Sequence, residues 1–423
     1  MSTADLLILA IGVFLWALVS RKGERGSVTG PMVFSLFGFL VGGGAFDLID
    51  LSIENAVIHR LAEITLVVAL FCDAARIDVS KLDSQHDIPV RLLAIGLPLA
   101  MILGTLAAFV LLPHLGWGLA AIIGIILAPT DAALGQAVVS NEDVPERIRQ
   151  ALNVESGLND GLAFPVLLTV LSLISGSEAT LGLADWSLFL AGQLILGPLS
   201  GVTVGLVGAI AVEKASSRNW MSGRYVQIST LTLALLAYSA AETIGGNGFI
   251  AAFVAGLVVG MRSHRLFEAV EDFGETEGQL LTLTVFLLFG AILLPDAVRE
   301  LEWRHVLYAG LSLTVLRMLP VAISLLGTGL RPATIGFIGW FGPRGLASIL
   351  YLLLITESGA LAGVADVAPT ILVTVALSVL LHGATASPFA RVYGTRMGPG
   401  TDGRGEHRPV HAFPIGFGFR RNG

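Results

Sequence analysis

The sequence predicts an all-α polytopic membrane protein of thirteen transmembrane helices, and three observations carry that reading. The chain is overwhelmingly apolar, 54% hydrophobic against 13% charged, with a mean hydropathy of +0.80; soluble domains carry about a quarter charged residues. Its apolar residues gather into separate runs, and about 20 such residues suffice to cross a bilayer. Lys and Arg alternate between the connections, as they do when every second loop is cytoplasmic.

In order, the runs fall at 4–20, 30–46, 56–76, 89–113, 117–139, 148–175, 185–213, 222–243, 246–262, 277–295, 303–328, 332–357 and 366–389. Of the 25 Lys and Arg, 20 lie in the odd-numbered connections and the C-terminal tail, beginning with Arg21, Lys22 and Arg25. The even connections hold only Arg299 and Arg304, while Arg60, Arg317 and Arg344 lie inside runs. A missed or invented mid-chain helix would smear that split. The N-terminus is therefore expected outside and the C-terminus in the cytoplasm.

No basic residue precedes the first run, whereas a cleaved leader wants a positive start; a retained helix is expected. Between Met261 and Glu277, apolar residues recur at three- to four-residue spacing. That spacing fits either a short helix lying on the surface or a solvated connector. Residues 391–423 are read as a short cytoplasmic tail, Gly-rich and charged from Gly398 and without helical periodicity, hence disordered. One cysteine, Cys72, excludes an intrachain disulfide framework. No phosphate-binding loop, dinucleotide fingerprint or Cys/His metal cluster occurs.

The sixth run carries an anomaly, Glu155-Ser156-Gly157-Leu158-Asn159-Asp160. On a helix Ser156 and Asp160 share a face, as do Glu155 and Asn159. Asp160 would lie roughly 18 Å along the axis from Ile148, at about 1.5 Å per residue, near mid-membrane. An ionisable group there is costly and marks an ion or proton pathway.

Two runs are broken. The fifth contains Ala128-Pro129-Thr130-Asp131 and the twelfth Gly342-Pro343-Arg344-Gly345; a proline removes a backbone donor and clashes with the preceding turn. By the charge-derived topology, helices five and twelve run in opposite directions. Two unwound helices so related are expected to cross as elements of inverted repeats, helices four to six and eleven to thirteen, as in secondary transporters. Arg317, also deep, joins the polar set: Asp131, Glu155 and Asp160 against Arg317 and Arg344. Deep charges should pair, and three acids against two bases leave one carboxylate for a cation.

Two other classes compete. A channel needs a continuous polar lining, but these groups cluster at one depth. An intramembrane hydrolase could use Ser156, but no histidine is placed to activate it. Glu63 and His59 in the third helix read as local pairs or interface residues, and Glu242 as a wetted residue at the outer end of the eighth.

Together with Gly246-x-Gly248-Phe249-Ile250-Ala251 and Phe253-x-Ala255-Gly256-Leu257, these motifs resemble the NhaP-type, electroneutral Asn-Asp branch of the monovalent cation/proton antiporters, over essentially all thirteen helices. The resemblance implies a secondary active transporter, not an enzyme, within 1–390. A core of about 89–175 and 303–389 would move against dimerisation helices of about 4–76 and 185–262. The cation would be held by Asp160, Ser156, Thr130 and Asp131, with Asn159 stabilising the crossing of the broken helices. Glu155 would be paired with an arginine, Arg317 in preference to Arg344, and Asp73 would lie near the inner funnel. Asn159, where electrogenic relatives carry Asp, implies one-for-one exchange. Ala132 and Gly157 depart from the usual pattern without removing a ligand.

The expected activity is sodium (or lithium) exchange for protons, serving sodium and pH homeostasis in a prokaryotic plasma membrane, with potassium as the alternative cation. No resident cofactor and no nucleic-acid partner are expected; the partners are the lipid bilayer, the transported ions and a second copy of the chain. Sodium is a hard cation that wants oxygen ligands. Asp160 supplies charge, while Ser156, Asp131 and the unwound Thr130 backbone supply further oxygens. Only the neutralised site crosses readily, since an empty carboxylate would drag a bare anion through the membrane.

Overall fold

The computed structural model describes residues 3–25, 27–49, 56–76, 87–174, 183–358, 363–397 and 406. Among them every regular element is a helix, and a helix lies on each apolar run. The helices are α1 (Thr3–Arg25), α2 (Gly30–Val41), α3 (Ala56–Ala75), α4 (Asp87–Leu111), α5 (Gly116–Ile126), α6 (Ala132–Val139), α7 (Glu146–Ile174), α8 (Leu183–Ser217) and α9 (Gly223–Thr243). There follow α10 (Gly248–Arg262), α11 (His264–Phe273), α12 (Gln279–Leu288), α13 (Leu294–Arg299), α14 (Trp303–Leu313), α15 (Val315–Ser324), α16 (Pro332–Trp340), α17 (Leu346–Ser358) and α18 (Val364–Met397). Seven helical stretches among the described residues are long and apolar enough to cross a membrane, and four shorter apolar helices accompany them.

Proline accounts for two of the local irregularities. A π turn at Leu92–Gly96 interrupts α4 just before Pro98, and another at Phe289–Leu293 joins α12 to α13 just before Pro295. In each case the missing proline N–H leaves the carbonyl four residues back without its helical donor, and the chain widens by one residue there.

The chain divides into two compact units. The first comprises 1–62, 87–156 and 281–410; the second comprises 63–86, 157–280 and 411–423. In the first, Gly124 of α5 lies against Met101 and Thr105 of α4, where any side chain would strike backbone. Gly38 and Gly42 of α2 similarly meet the carbonyls of Leu287 and Ala291.

In the second unit α10 is the central helix. A Cβ at Gly197, Gly201 or Gly205 of α8 would stand 2.9, 2.5 or 2.9 Å from the carbonyl oxygens of Asn247, Ala251 and Ala255. Small residues every fourth position let membrane helices pack backbone to backbone, where dispersion must replace the missing hydrophobic drive. On another side of α10, Gly256 and Gly260 rest on the Phe71 and Ala75 carbonyls of α3. The connector after α10 is a helix, α11: Ser263 Oγ accepts the Leu266 amide at 3.2 Å, and Leu266, Ala269, Val270 and Phe273 are buried.

The C-terminal region differs from expectation. Helix α18 continues through Arg391 to Met397, past the boundary placed at 390. Glu406, in the part read as disordered, is buried, and its carboxylate accepts the Arg331 amide at 2.8 Å and the Thr334 hydroxyl at 2.9 Å. It thereby caps the N-terminus of α16, which lacks donors' partners of its own. Its neighbours from 398 to 423 lie outside the described residues.

Burial pushes the Glu406 carboxyl up, but hydrogen bonds from the Arg331 and Glu406 amides and the Thr334 hydroxyl, with the Arg331 charge, outweigh it and leave it below the ordinary carboxylate value. A depressed carboxylate contributes stability that is fully present above its free pKa and lost as pH falls through its bound value. The cap is thus expected to hold at neutral pH and to release only in acid. Hydrogen exchange of the Arg331 amide should stay slow to below the ordinary carboxylate range; in Glu406→Gln it should be faster at neutral pH, the difference vanishing in acid.

Candidate functional site

The first unit brings both helix breaks together. Residues 127–131 separate α5 from α6, and 341–345 separate α16 from α17. Each break exposes two helix ends whose backbone groups have no partner in their own helix. Asp131 satisfies donors from both breaks. Its Oδ1 accepts the Leu134 amide of α6 at 3.2 Å, and its Oδ2 accepts the Leu346 amide of α17 at 2.5 Å. Its own amide donates to the Pro343 carbonyl at 2.8 Å. A Cβ at Gly345 would stand 2.0 Å from Asp131 Oδ2, so a larger residue would displace the carboxylate.

The opposite ends are also met. Ser348 donates to the Ile126 carbonyl at the end of α5, at 2.9 Å. At the end of α16, His382 of α18 lies 2.8 Å from the Trp340 carbonyl, and Arg344 Nη1 donates to the Gly342 carbonyl at 2.7 Å.

The remaining predicted residues of this unit adjoin the breaks. The Thr130 and Ser156 hydroxyls are 3.0 Å apart, both residues being buried. Glu155 makes a two-pronged ion pair with Arg317, Nη1 to Oε1 at 2.5 Å and Nη2 to Oε2 at 2.8 Å. That fork geometry suits guanidinium and carboxylate, and burial demands it. The Arg317 side chain packs over Gly342, where a Cβ would collide with the guanidinium.

The expectation that deep charges pair with one another does not extend to Arg344. Its guanidinium turns to the carbonyl of its own loop, because the C-terminal end of a helix carries partial negative charge and satisfies a cation without an acid.

In the second unit α7 continues through Asn159, buried, and Asp160, half-buried. The next residue, Gly161, is covered by the Phe253 ring of α10, and Phe164 meets Phe249 edge-on with centroids 5.0 Å apart. Asp73 of α3 is partly exposed and lies 3.9 Å from Arg76. Glu63 accepts a hydrogen bond from Tyr238 of α9. Glu242 accepts the Gly248 amide at 2.8 Å, at the start of α10. The side chain of His59 lies outside the described residues.

Sequence reasoning passed over Ser348, Ser378 and His382. Ser378 and His382 are nonetheless four apart in an apolar run, the same spacing that singled out Ser156 and Asp160.

Residues 7–392 match the sodium/hydrogen exchanger transmembrane family. The chain belongs to that family and is a multi-pass membrane protein of the cation/proton antiporter class. It is 26% identical over 403 residues to the K(+)/H(+) antiporter NhaP of Alkalimonas amylolytica, covering 92% of this chain and 67% of that protein. To the Na(+)/H(+) antiporter 2 of Zygosaccharomyces rouxii it is 27% identical over 367 residues, covering 80% and 44% respectively. Its fold is similar to that of the sodium proton antiporter MjNhaP1 from Methanocaldococcus jannaschii at a TM-score of 0.74 and 21% identity, over 92% of this chain and 97% of that one. The NhaP-type resemblance of the motifs is thereby borne out.

Removing one member of a buried ion pair costs about 3–5 kcal/mol, because the other charge is left unpaired. Glu155→Ala should lower the thermal midpoint of the purified protein strongly. The exchange Glu155→Arg with Arg317→Glu should restore part of the loss, and a swap with Arg344 should restore none.

Proposed function

We propose that the chain exchanges sodium (or lithium) for protons, one for one, in the plasma membrane of a prokaryote. It would act as a homodimer of thirteen-span subunits with the N-terminus outside. The observation that carries the reading is the 3.0 Å approach of the Thr130 and Ser156 hydroxyls. It brings neutral oxygens from the unwound segment to α7, one helical turn before Asp160, and sodium favours such an oxygen set.

In this account Asp160 supplies the charge, Ser156 and Thr130 supply neutral ligands, and Asp131 contributes mainly as the clamp that fixes Thr130. Asn159 is neutral and adds no second titrating group, so one carboxylate carries either one cation or one proton. Glu155, held by Arg317, neutralises a guanidinium beside the break. Asp73 belongs to the cytoplasmic approach.

Exchange follows if only the neutralised site changes its access. Proton-bound and cation-bound Asp160 are both uncharged overall, whereas the empty carboxylate faces the cost of a bare charge at mid-membrane. That cost suppresses leak. Potassium exchange is the second reading, favoured by the K(+)/H(+) name of the A. amylolytica relative. The two cations ask for the same ligand types at slightly different distances.

Proteoliposomes with a trapped pH dye, challenged with sodium, lithium and potassium in turn, test both readings. Sodium should move protons at the lowest concentration, and Asp160→Asn should abolish the signal while leaving the thermal midpoint near that of the native protein. Imposing a membrane potential should not change the rate. A voltage-dependent rate would overturn one-for-one exchange, and a potassium-only response would select the second reading.

A further inference from the structure

The loop between α16 and α17 is gripped from two sides in alternation. Asp131 takes its Pro343 carbonyl and Leu346 amide, as described above. Helix α18 takes the Trp340 carbonyl before them and the Arg344 amide between them. Ser378 Oγ accepts the Arg344 amide at 2.6 Å, and His382 Nε2 meets the Trp340 carbonyl at 2.8 Å. The two α18 side chains are themselves joined, Ser378 Oγ to His382 Nδ1 at 3.2 Å, and Ser378, His382 and Arg344 are all fully buried.

Both ring nitrogens of His382 face carbonyls, Nε2 that of Trp340 at 2.8 Å and Nδ1 that of Ser378, one turn back in α18, at 3.0 Å. A carbonyl only accepts, so the Trp340 contact requires a proton on Nε2. The Ser378 hydroxyl accepts from the Arg344 amide and can give its own hydrogen to Nδ1 when that nitrogen bears none. The Trp340 indole continues the contact, donating to Thr385 Oγ1 at 3.0 Å, which locks the end of α16 to α18.

We infer that His382 and Ser378 are positioning residues for exchange: acting through the α16–α17 loop and Asp131, they set the place of the Thr130 hydroxyl against Ser156. They touch no ion. Their effect passes along bonded backbone, since Thr130 adjoins Asp131 and Asp131 is tied to Pro343 and Leu346. In metal sites, loss of such outer partners costs about 10–100-fold in affinity.

This inference rests on the site proposed above, and its test separates the two. Gln at 382 can present its amide nitrogen where Nε2 stands, whereas Asn, one carbon shorter, cannot reach the Trp340 carbonyl. The two variants are alike in polarity and differ mainly in reach. In proteoliposomes, His382→Asn and Ser378→Ala should each raise the half-maximal sodium concentration about tenfold or more, and His382→Gln should stay close to the native value. In a Thr130→Ala background, His382→Asn should add little, because the contact through which it acts is already gone.

Equal affinities for the Asn, Gln and native proteins would overturn the inference. So would an Asn effect of full size in the Thr130→Ala background, or affinity losses in both 382 variants that merely follow their thermal midpoints. A native protein that moves no protons with any monovalent cation would instead overturn the exchange reading itself.

Discussion

Four helix ends are created where two transmembrane helices are broken, and inside a bilayer there is no water to satisfy them. Asp131 is the residue on which their arrangement turns. A single carboxylate accepts one amide from each broken helix, and its own amide donates across the gap to Pro343. Carboxylate oxygens suit helix N-termini because both backbone donors and the helix dipole favour negative charge there. The C-terminal ends receive the complementary treatment: Ser348 at Ile126, Arg344 at Gly342 and His382 at Trp340. Irregular backbone is tolerated here because these exposed groups meet partners of the right polarity.

In the proposed function, the same arrangement prepares the ion site. Holding the two breaks together places the Thr130 hydroxyl beside Ser156. The buried Glu155–Arg317 pair stiffens the neighbouring turn of α7, and the guanidinium packs on Gly342 of the second break. A buried pair of this kind adds little net stability over an apolar substitute, but it is intolerant of losing one member. Its value here is geometric: it fixes where α7 meets the broken helices, one turn before Asp160.

Much of this was legible in the sequence because the background is so apolar. In a chain of 13% charged residues, any acid, base or proline within a run stands out, and Asp131, Glu155, Asp160, Arg317 and Arg344 were all found that way. The partners of Arg344 were not, because counting charges overlooks the partial charge at a helix end. His382 and Ser378 escaped notice because counting acids, lysines, arginines and prolines passes over a histidine and a serine. Glu406 was missed for a different reason: one carboxylate seated on the end of α16 leaves no periodic pattern in a Gly-rich stretch. The backbone contacts of Gly197, Gly201 and Gly205 are visible only once α8 is placed against α10.

In the proposed exchange one carboxylate, Asp160, is held alternately by a metal cation and by hydrogen. The most direct measurement is the half-maximal sodium concentration of exchange across a pH series. Competition requires it to rise as pH falls, approaching about tenfold per pH unit once the carboxylate is mostly protonated. A half-maximal concentration that stays constant across the series would show that cation and proton occupy separate sites, and would contradict the claim.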